Sequence, residues 1–474
     1  VPRPTPKLVM RAYAMNPILQ ALEQDITSTV RALGGELYRV GGVVRDKLLG
    51  FVHEDTDLLA TGVDFETLKD ALARTSRVNV VGASFGVIKV SRQGVGIDLA
   101  LPRTERSTGV GHREFEVTYD PHLSIEQDLS RCDFTVNAMA EKLSDGALVD
   151  PFGGRRDIEQ KLLRAVGDPK ERFAEDPLRM LRAGRFMAKL DFSLDASTFV
   201  AAKELAHLIA TVAPERISYE LQALLGASSP TGVYNALVFL RDSSLLTEII
   251  PEWASSIGFD QQNKHHQLAL DQHVFQAIAY AVNKGADVAV RLALLFHDIA
   301  KPMTQTFGDD GSAHYYQHEV LGAEITENVM ERLKFSGEMT RTVVRLVRNH
   351  MRPPLNPSNK TLRRWLNQMQ QQWPLALACR EADFAAKSRT NAGKASAWAD
   401  QLRLRCQAFS REVVTLKEQS LALSGQEIMR VFGLKPGPQV GKLKRLALQA
   451  VVDGELENQQ ESILRWLKER KEVK

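Results

Sequence analysis

The chain has 474 residues, 44% of them hydrophobic and 25% charged, and carries a net charge of +3. That balance is globular and long enough for about three domains, which excludes a disordered or fibrous chain. The small positive excess permits an acidic partner such as RNA without demanding one, so any basic surface must come from local clustering.

The three cysteines, Cys132, Cys379 and Cys406, have no CxxC spacing. The pattern argues against a disulfide framework or a structural zinc and fits a reducing, cytoplasmic compartment. No apolar run is long enough to span a bilayer, so a membrane partner is not expected. Residues 1–14 read as a tag remnant or upstream extension, with Met15 as a natural start.

In chain order, Ile18, Leu19, Leu22, Ile26, Val30 and Leu33 keep helical spacing, so 16–33 reads as an amphipathic helix. "ELYRVGGVVRDKLLG" follows as a short strand, a glycine turn and a helix beginning near Val43. "RVNVVGASFGVIKVSRQGVGIDLAL" holds at least two β-rich runs with glycine turns, making the stretch to about residue 145 mixed α/β. After "VDPFGGRRDIEQKLL" the β signal fades. Residues 157–250 read as helical, 260–385 as helical and rich in His, and 386–474 as charged helix interrupted by "GLKPGP". "MRPPLNPSNK" at 351–360 is a breaker cluster between helices.

Asp55 and Asp57 stand one residue apart. On a strand both carboxylates project from one face, as a pair of hard divalent cations would require. Asp98, an acid within the apolar run "GIDLAL", would complete such a site, because a lone buried carboxylate there needs a cation or partner. By itself the pair equally suits a solvated loop edge. The Gly41–Gly42 turn before a helix adds weight: its backbone N–H groups and the helix N-terminus suit a triphosphate, and Arg45 sits one turn in. Asp176 and Arg179, three residues apart, share a helical face and can pair with each other. They offer the mixed acceptors and donors that a base edge needs, although Asp176 would also serve as a plain cap for the helix that Pro177 begins.

The ordered series "VGGVVRDKLLG", "EDTDLLATG", "GASFGVIKV", "RCDFTVNAMA", "DPFGGRRDIEQKLLRAVGDP" and "EDPLRMLRAGRFMAKLDF" resembles the class II tRNA nucleotidyltransferase (CCA-adding) and bacterial poly(A) polymerase family over about residues 36–225. The resemblance implies an α+β fold, with a polymerase-β-like nucleotidyltransferase head at 15–150 carrying a mixed β-sheet. A helical neck at 151–255, an HD-like helical body at 256–385 and a tRNA-binding helical tail at 386–474 would follow. It implies Asp55 and Asp57 as the metal ligands for two Mg²⁺ ions, and Gly41, Gly42 and Arg45 as the triphosphate turn. Arg131, Asp133 and Asn137 match the motif for the ribose and phosphates. Glu175, Asp176, Arg179 and Arg182 fall in the nucleotide-selecting motif, in which the Asp and Arg read CTP or ATP, and Arg216 in "PERIS" supports that pocket. The family's second arginine before the aspartate is replaced here by Cys132, which supplies no charge.

The segment "LALPRTERSTGVGHREFEVTYDPHLSIEQ" resembles the loop with which CCA- and A-adding members switch from CTP to ATP, and "GASFGVIKV" lacks the basic pair associated with poly(A) polymerases. Full CCA addition is therefore expected, with terminal-A addition or poly(A) synthesis as alternatives, tRNA as partner, and a monomer or homodimer. His273, His297, Asp298 and Asp383 match the H…HD…D series of metal-dependent phosphohydrolases, with His318 and His350 as extensions and Lys301 as a phosphate ligand. That resemblance implies a divalent transition metal and a phosphatase or cyclic phosphodiesterase. Such histidines equally occur as satisfied core residues. Lys442, Lys444 and Arg445 in the tail are candidate phosphate contacts or a solvated face.

Overall fold

The computed structural model describes residues 17–51, 57–80, 87–107, 115–262, 268–388, 390–410 and 420–470. Asp55 lies outside them. Helix α1 (Pro17–Ala32) turns Leu22, Ile26 and Val30 inward, as the spacing predicts. It is followed by β1 (Glu36–Val40), α2 (Gly42–Leu48), β2 (Asp57–Thr61), α3 (Phe65–Ala73), β3 (Arg77–Val80), β4 (Val87–Arg92) and β5 (Val95–Ala100). The backbone then forms an antiparallel hairpin of β6 (Arg103–Ser107) and β7 (Phe115–Tyr119), with Arg103 opposite Tyr119. Next come α4 (Ile125–Leu129), β8 (Ala140–Lys142) and β9 (Leu148–Val149). Seven strands form one mixed sheet in the order β3-β4-β5-β2-β1-β8-β9. Its core packs α1 and α3 against Leu58, Ile88, Ile97 and Leu99.

The register decides where the acids go. Strands β2 and β5 run parallel with Asp57 opposite Asp98, so both carboxylates leave the same face. Asp98 is not buried as its apolar flanks suggest. Period two sends Ile97 and Leu99 into the core and leaves Asp98 exposed on the opposite side. β1 is antiparallel to β2, with Arg39 opposite Leu58. Continuing that register sets Asp57 against Val40, one residue before the glycine turn.

The chain folds as two compact units: Val1–Ile217 with Phe239–Ile249, and Ser218–Val238 with Ile250–Lys474. The first unit adds the helices α5 (Gly154–Glu159), α6 (Pro169–Glu175), α7 (Leu178–Leu190) and α8 (Ala196–Leu205) to the sheet. Asp168 caps α6 by accepting from Lys170 N, and α7 ends at Asp191 in the left-handed conformation. The unit boundary falls within α9 (Pro214–Gly226) and α10 (Pro230–Asp242), which precede α11 (Leu245–Ile249).

The second unit is built on α12 (Leu270–Asn283), α13 (Val288–Phe296), the short α14 (Lys301–Thr304), α15 (His318–Arg332), α16 (Gly337–Asn349), α17 (Asn359–Met369), α18 (Trp373–Ala386) and α19 (Asn391–Ser410). It ends with α20 (Gly425–Phe432), α21 (Pro438–Asp453) and α22 (Gln460–Lys468), whose own cluster centres on Ile428, Leu443 and Ile463. One departure from the all-helical expectation is a hairpin, Gln305–Phe307 against Ala313–Tyr315, turned by "GDDG". It carries Tyr315 and leads into His318.

Candidate functional site

In the first unit Gly41 adopts φ +69°, ψ −127°, which a side chain would strain, and it opens α2. Around this turn lies a cleft of about 590 Å³. Its floor is a chain of buried hydrogen bonds. Arg45 is 3% exposed, donates through Nε to Asp46 Oδ1 at 2.7 Å, and donates through Nη1 to Asn137 Oδ1. Asn137 Nδ2 donates to Asp133 Oδ1 at 2.9 Å. Asp133 Oδ2 in turn accepts from Arg182 Nε at 2.8 Å and Nη2 at 2.5 Å. Four of the expected residues, drawn from α2, the 133–137 segment and α7, thus form one connected relay.

Arg131 is held by Asp128 through two bonds, at 2.9 and 3.2 Å. Asp176 and Arg179 do not pair with each other. Helix α6 ends at Glu175 and α7 begins at Leu178, so the two sit across a break rather than along one helix. Asp176 accepts from Leu178 N, the first residue of α7, at 3.1 Å and from Arg216 Nη2 at 3.2 Å. Arg179 donates to Glu175 Oε2 and to the carbonyls of Arg172 and Arg131. These three bonds commit three of its five N–H donors.

Gly41, Gly42, Arg45, Arg131, Asp133, Asn137, Asp176, Arg179, Arg182 and Arg216 all line the cleft, whereas Glu175, Asp57 and Asp98 do not. Asp57 and Asp98 stand in register on the sheet, with Lys89 3.7 Å from Asp98. Two exposed carboxylates side by side repel unless a cation lies between them, and their hard oxygens suit Mg²⁺.

Sequence reasoning missed Arg185, Phe186 and Lys189, which also line the cleft. Arg45, Arg182 and Arg185 lie 5.4, 5.5 and 4.6 Å from the Phe186 ring centroid, so one ring supports three guanidinium groups. The signal was available as the helical spacing of 179, 182, 186 and 189. Burial and the Arg45 charge pull Lys189 below the usual lysine range. Cys132, also on the wall, has its thiol pushed up to about 12 by burial and is therefore neutral.

The second unit brings the histidines together. His273 (α12), His297 and Asp298 (after α13), His318 (α15), His350 (after α16) and Asp383 (α18) are all buried. His273 Nε2 is 3.3 Å from Asp383 Oδ1 and 3.7 Å from Asp298 Oδ2, and His297 Nε2 is 3.1 Å from Asp298 Oδ2. The other Asp298 oxygen, Oδ1, is 3.3 Å from His318 Nε2 and 3.5 Å from His350 Nε2. Asp298 therefore sits between two clusters of ligand atoms.

The Nδ1 atoms of His297, His318 and His350 each lie 2.7 Å from a backbone carbonyl, those of Leu294, Tyr315 and Val347. A donor Nδ1–H in each ring leaves its Nε2 lone pair facing inward. The Nε2 atoms of His318 and His350 are then only 3.2 Å apart. Burial lowers His350 to about 4, so that ring is neutral near pH 7. Burial also lowers His273. It opposes a charge on His297 as well, but Asp298 and Asp383 outweigh it and raise that imidazole. Despite burial, neighbouring positive groups hold Asp298 and Asp383 well below the usual carboxylate range. Converging imidazoles and ionised carboxylates fit a borderline divalent metal.

A mixed sheet with paired acids beside a glycine turn, opening onto an arginine-rich cleft, defines a nucleotidyltransferase-class head. The comparisons agree. A family model described as the poly A polymerase head domain matches residues 37–164, and one for tRNA nucleotidyltransferase domain 2 matches 319–467. A Multifunctional CCA protein of Aromatoleum aromaticum is 37% identical over 322 residues, 66% of this chain and 74% of the relative. One of Nitrosococcus oceani is 35% identical over the same length and shares. Among solved structures, the Bacillus stearothermophilus CCA-adding enzyme in complex with CTP aligns with a TM-score of 0.69 at 28% identity, covering 96% of this chain and 98% of that one. The chain belongs to the tRNA nucleotidyltransferase and poly(A) polymerase family, and it is an enzyme. Its fold, a polymerase-β-like head with a helical remainder, is that of the CCA-adding enzymes. Among the described residues no helix is long and apolar enough to cross a membrane.

Proposed function

We propose that the chain adds CCA to the 3′ end of tRNA from CTP and ATP, releasing pyrophosphate. The observation that carries this reading is the in-register pair Asp57 and Asp98 at the sheet end that also presents the glycine turn. Asp55, Asp57 and Asp98 would hold Mg²⁺, which when bound lowers the pKa of the attacking 3′-hydroxyl and neutralises triphosphate charge. The chain's own groups do the positioning. Backbone N–H groups at Gly41–Gly42 and the Arg45 guanidinium receive phosphates, while the Arg131–Asp133–Asn137 segment, stiffened by Arg182, holds the sugar. Asp176, steadied by Arg216, and the uncommitted donors of Arg179 read the base edge in place of a template. The tRNA of the Thermotoga maritima CCA-adding enzyme complex, a protein of the same fold with 20% identity and a TM-score of 0.56, is the kind of acceptor we assign to the helical part. Lys442 and Arg445, exposed on α21, are available to its backbone.

The test uses purified protein, Mg²⁺ and tRNA transcripts ending before CCA, after C and after CC. Completion of all three supports the proposal. Addition to the CC-ended transcript alone makes the enzyme A-adding, and long tails make it a poly(A) polymerase.

A second activity is favoured by the 3.2 Å approach of the His318 and His350 Nε2 atoms and by the bridging position of Asp298. We propose that His273, His297, Asp298 and Asp383 hold one divalent transition metal, that His318 and His350 extend the site to a binuclear one, and that the centre hydrolyses phosphoesters. Metal retained on gel filtration, with bis-p-nitrophenyl phosphate hydrolysis lost in His297→Ala, supports this. No retained metal makes the cluster structural.

A further inference from the structure

Beside the histidine cluster lies a cavity of about 490 Å³, within the range of small-molecule sites. Its charged lining is Lys301, Arg380 and Lys387 against Asp298 and Asp383. Three cations against two carboxylates leave one net positive charge before any metal is bound. A purely structural cation site has the opposite balance, because buried charge is tolerated only when compensated. Loaded with a divalent ion, this cavity would require an anion.

The cations are placed for one. Lys301 is 5% exposed and donates to Gln261 Oε1, with Nζ 2.7 Å from Asp298 Oδ2. Arg380 is 7% exposed and donates through Nη1 to Asp383 Oδ2 at 2.6 Å, and its buried Nε has no hydrogen-bond partner. Lys387 Nζ lies 3.5 Å from the same Asp383 oxygen. The other oxygen, Oδ1, is thereby turned to His273 and His297. Met351, Leu355 and Phe384 add an apolar stretch of wall that suits an organic substituent.

We propose that Arg380, Lys301 and Lys387 form a clamp for the dianionic phosphoryl group of a phosphomonoester, Arg380 acting also as the positioning residue that selects which Asp383 oxygen faces the histidines. The proposal rests on the reading of this cluster as a metal centre. A guanidinium and two ammonium groups discriminate by charge, so a dianionic monoester is preferred over a monoanionic diester.

The test measures metal content and calorimetric binding of inorganic phosphate for the parent, Arg380→Met, Arg380→Lys and Lys387→Met, each as full-length protein. Loss of one charge-assisted contact is expected to weaken phosphate binding about ten- to a hundredfold, with metal content unchanged in Lys387→Met and partial recovery in Arg380→Lys. In the same variants, hydrolysis of p-nitrophenyl phosphate should fall further than that of bis-p-nitrophenyl phosphate. Phosphate affinity equal to the parent's in Lys387→Met and in a folded Arg380→Met overturns the proposal, as does a metal-loaded parent that binds no phosphate. A parent that takes up no metal refutes the metal centre instead. Phosphate titration of that metal-free protein then decides the clamp: binding that weakens in the variants supports it, and no binding overturns it.

Discussion

Asn137 joins the two charged halves of the cleft floor, and replacing it by Ala cuts both bonds at once. The side chain accepts from the buried Arg45 guanidinium and donates to the buried Asp133 carboxylate. A bond to a charged group contributes about 1.5–3 kcal/mol, so two would sum to about 3–6 kcal/mol. The sum overstates the loss, because Arg45 keeps Asp46 and Asp133 keeps Phe134 N and Arg182. We expect about 2–4 kcal/mol, which for a unit of this size lowers its melting temperature by about 5–15 °C. Arg45 and Asp133 both line the cleft proposed to hold the nucleotide, so KM for CTP should rise about tenfold or more in the same variant. Differential scanning calorimetry and initial rates with a CTP titration are the assays. A variant that melts within about 1 °C of the parent and keeps its KM would show that the relay neither supports the head nor orders the cleft.

Asp176→Ala, which removes the proposed base-reading acid, deprives Arg216 of its carboxylate and Leu178 N of its acceptor; incorporation of GTP and UTP relative to CTP should rise about tenfold, by product sequencing, and unchanged selectivity would contradict the role. Because its thiol is pushed up to about 12, Cys132 should be alkylated by iodoacetamide at pH 8 about a thousandfold more slowly than a free thiol, read by peptide mass spectrometry of native protein. In the second unit, His273→Ala and His318→Ala should each lose about one metal equivalent and Asp298→Ala both, since among the described residues only Asp298 belongs to both groups. Equal stoichiometry in all three would leave a single mononuclear site.

Much of the head was legible because it is local. The DxD spacing, the glycine turn and period-two alternation are short-range rules, and they place Asp57 and Gly41 as the structure does. What failed depended on where chain breaks fall. Asp176 and Arg179 have helical spacing, but Pro177 separates α6 from α7 and hands Asp176 to Arg216, forty residues on. Asp98 was assigned to the interior by its apolar neighbours, although alternation alone predicts the opposite face. The histidine cluster joins residues from 273 to 383 on separate helices, and no spacing rule brings such residues together. Only the resemblance pointed there. Arg380 and Lys387 were missed although their spacing around Asp383, three before and four after, is a helical-face signal.

The proposed activity is template-free nucleotidyl transfer at the Asp57 face of the head. It is tested most directly by comparing parent and Asp57→Asn on a tRNA transcript lacking CCA, with Mg²⁺, CTP and ATP. Asp57 is exposed at the start of β2, so the substitution should leave melting unchanged. The parent should give a C, C, A product, and the variant's rate should be lower by at least about a thousandfold. An Asp57→Asn protein that extends the transcript at the parent's rate would contradict it.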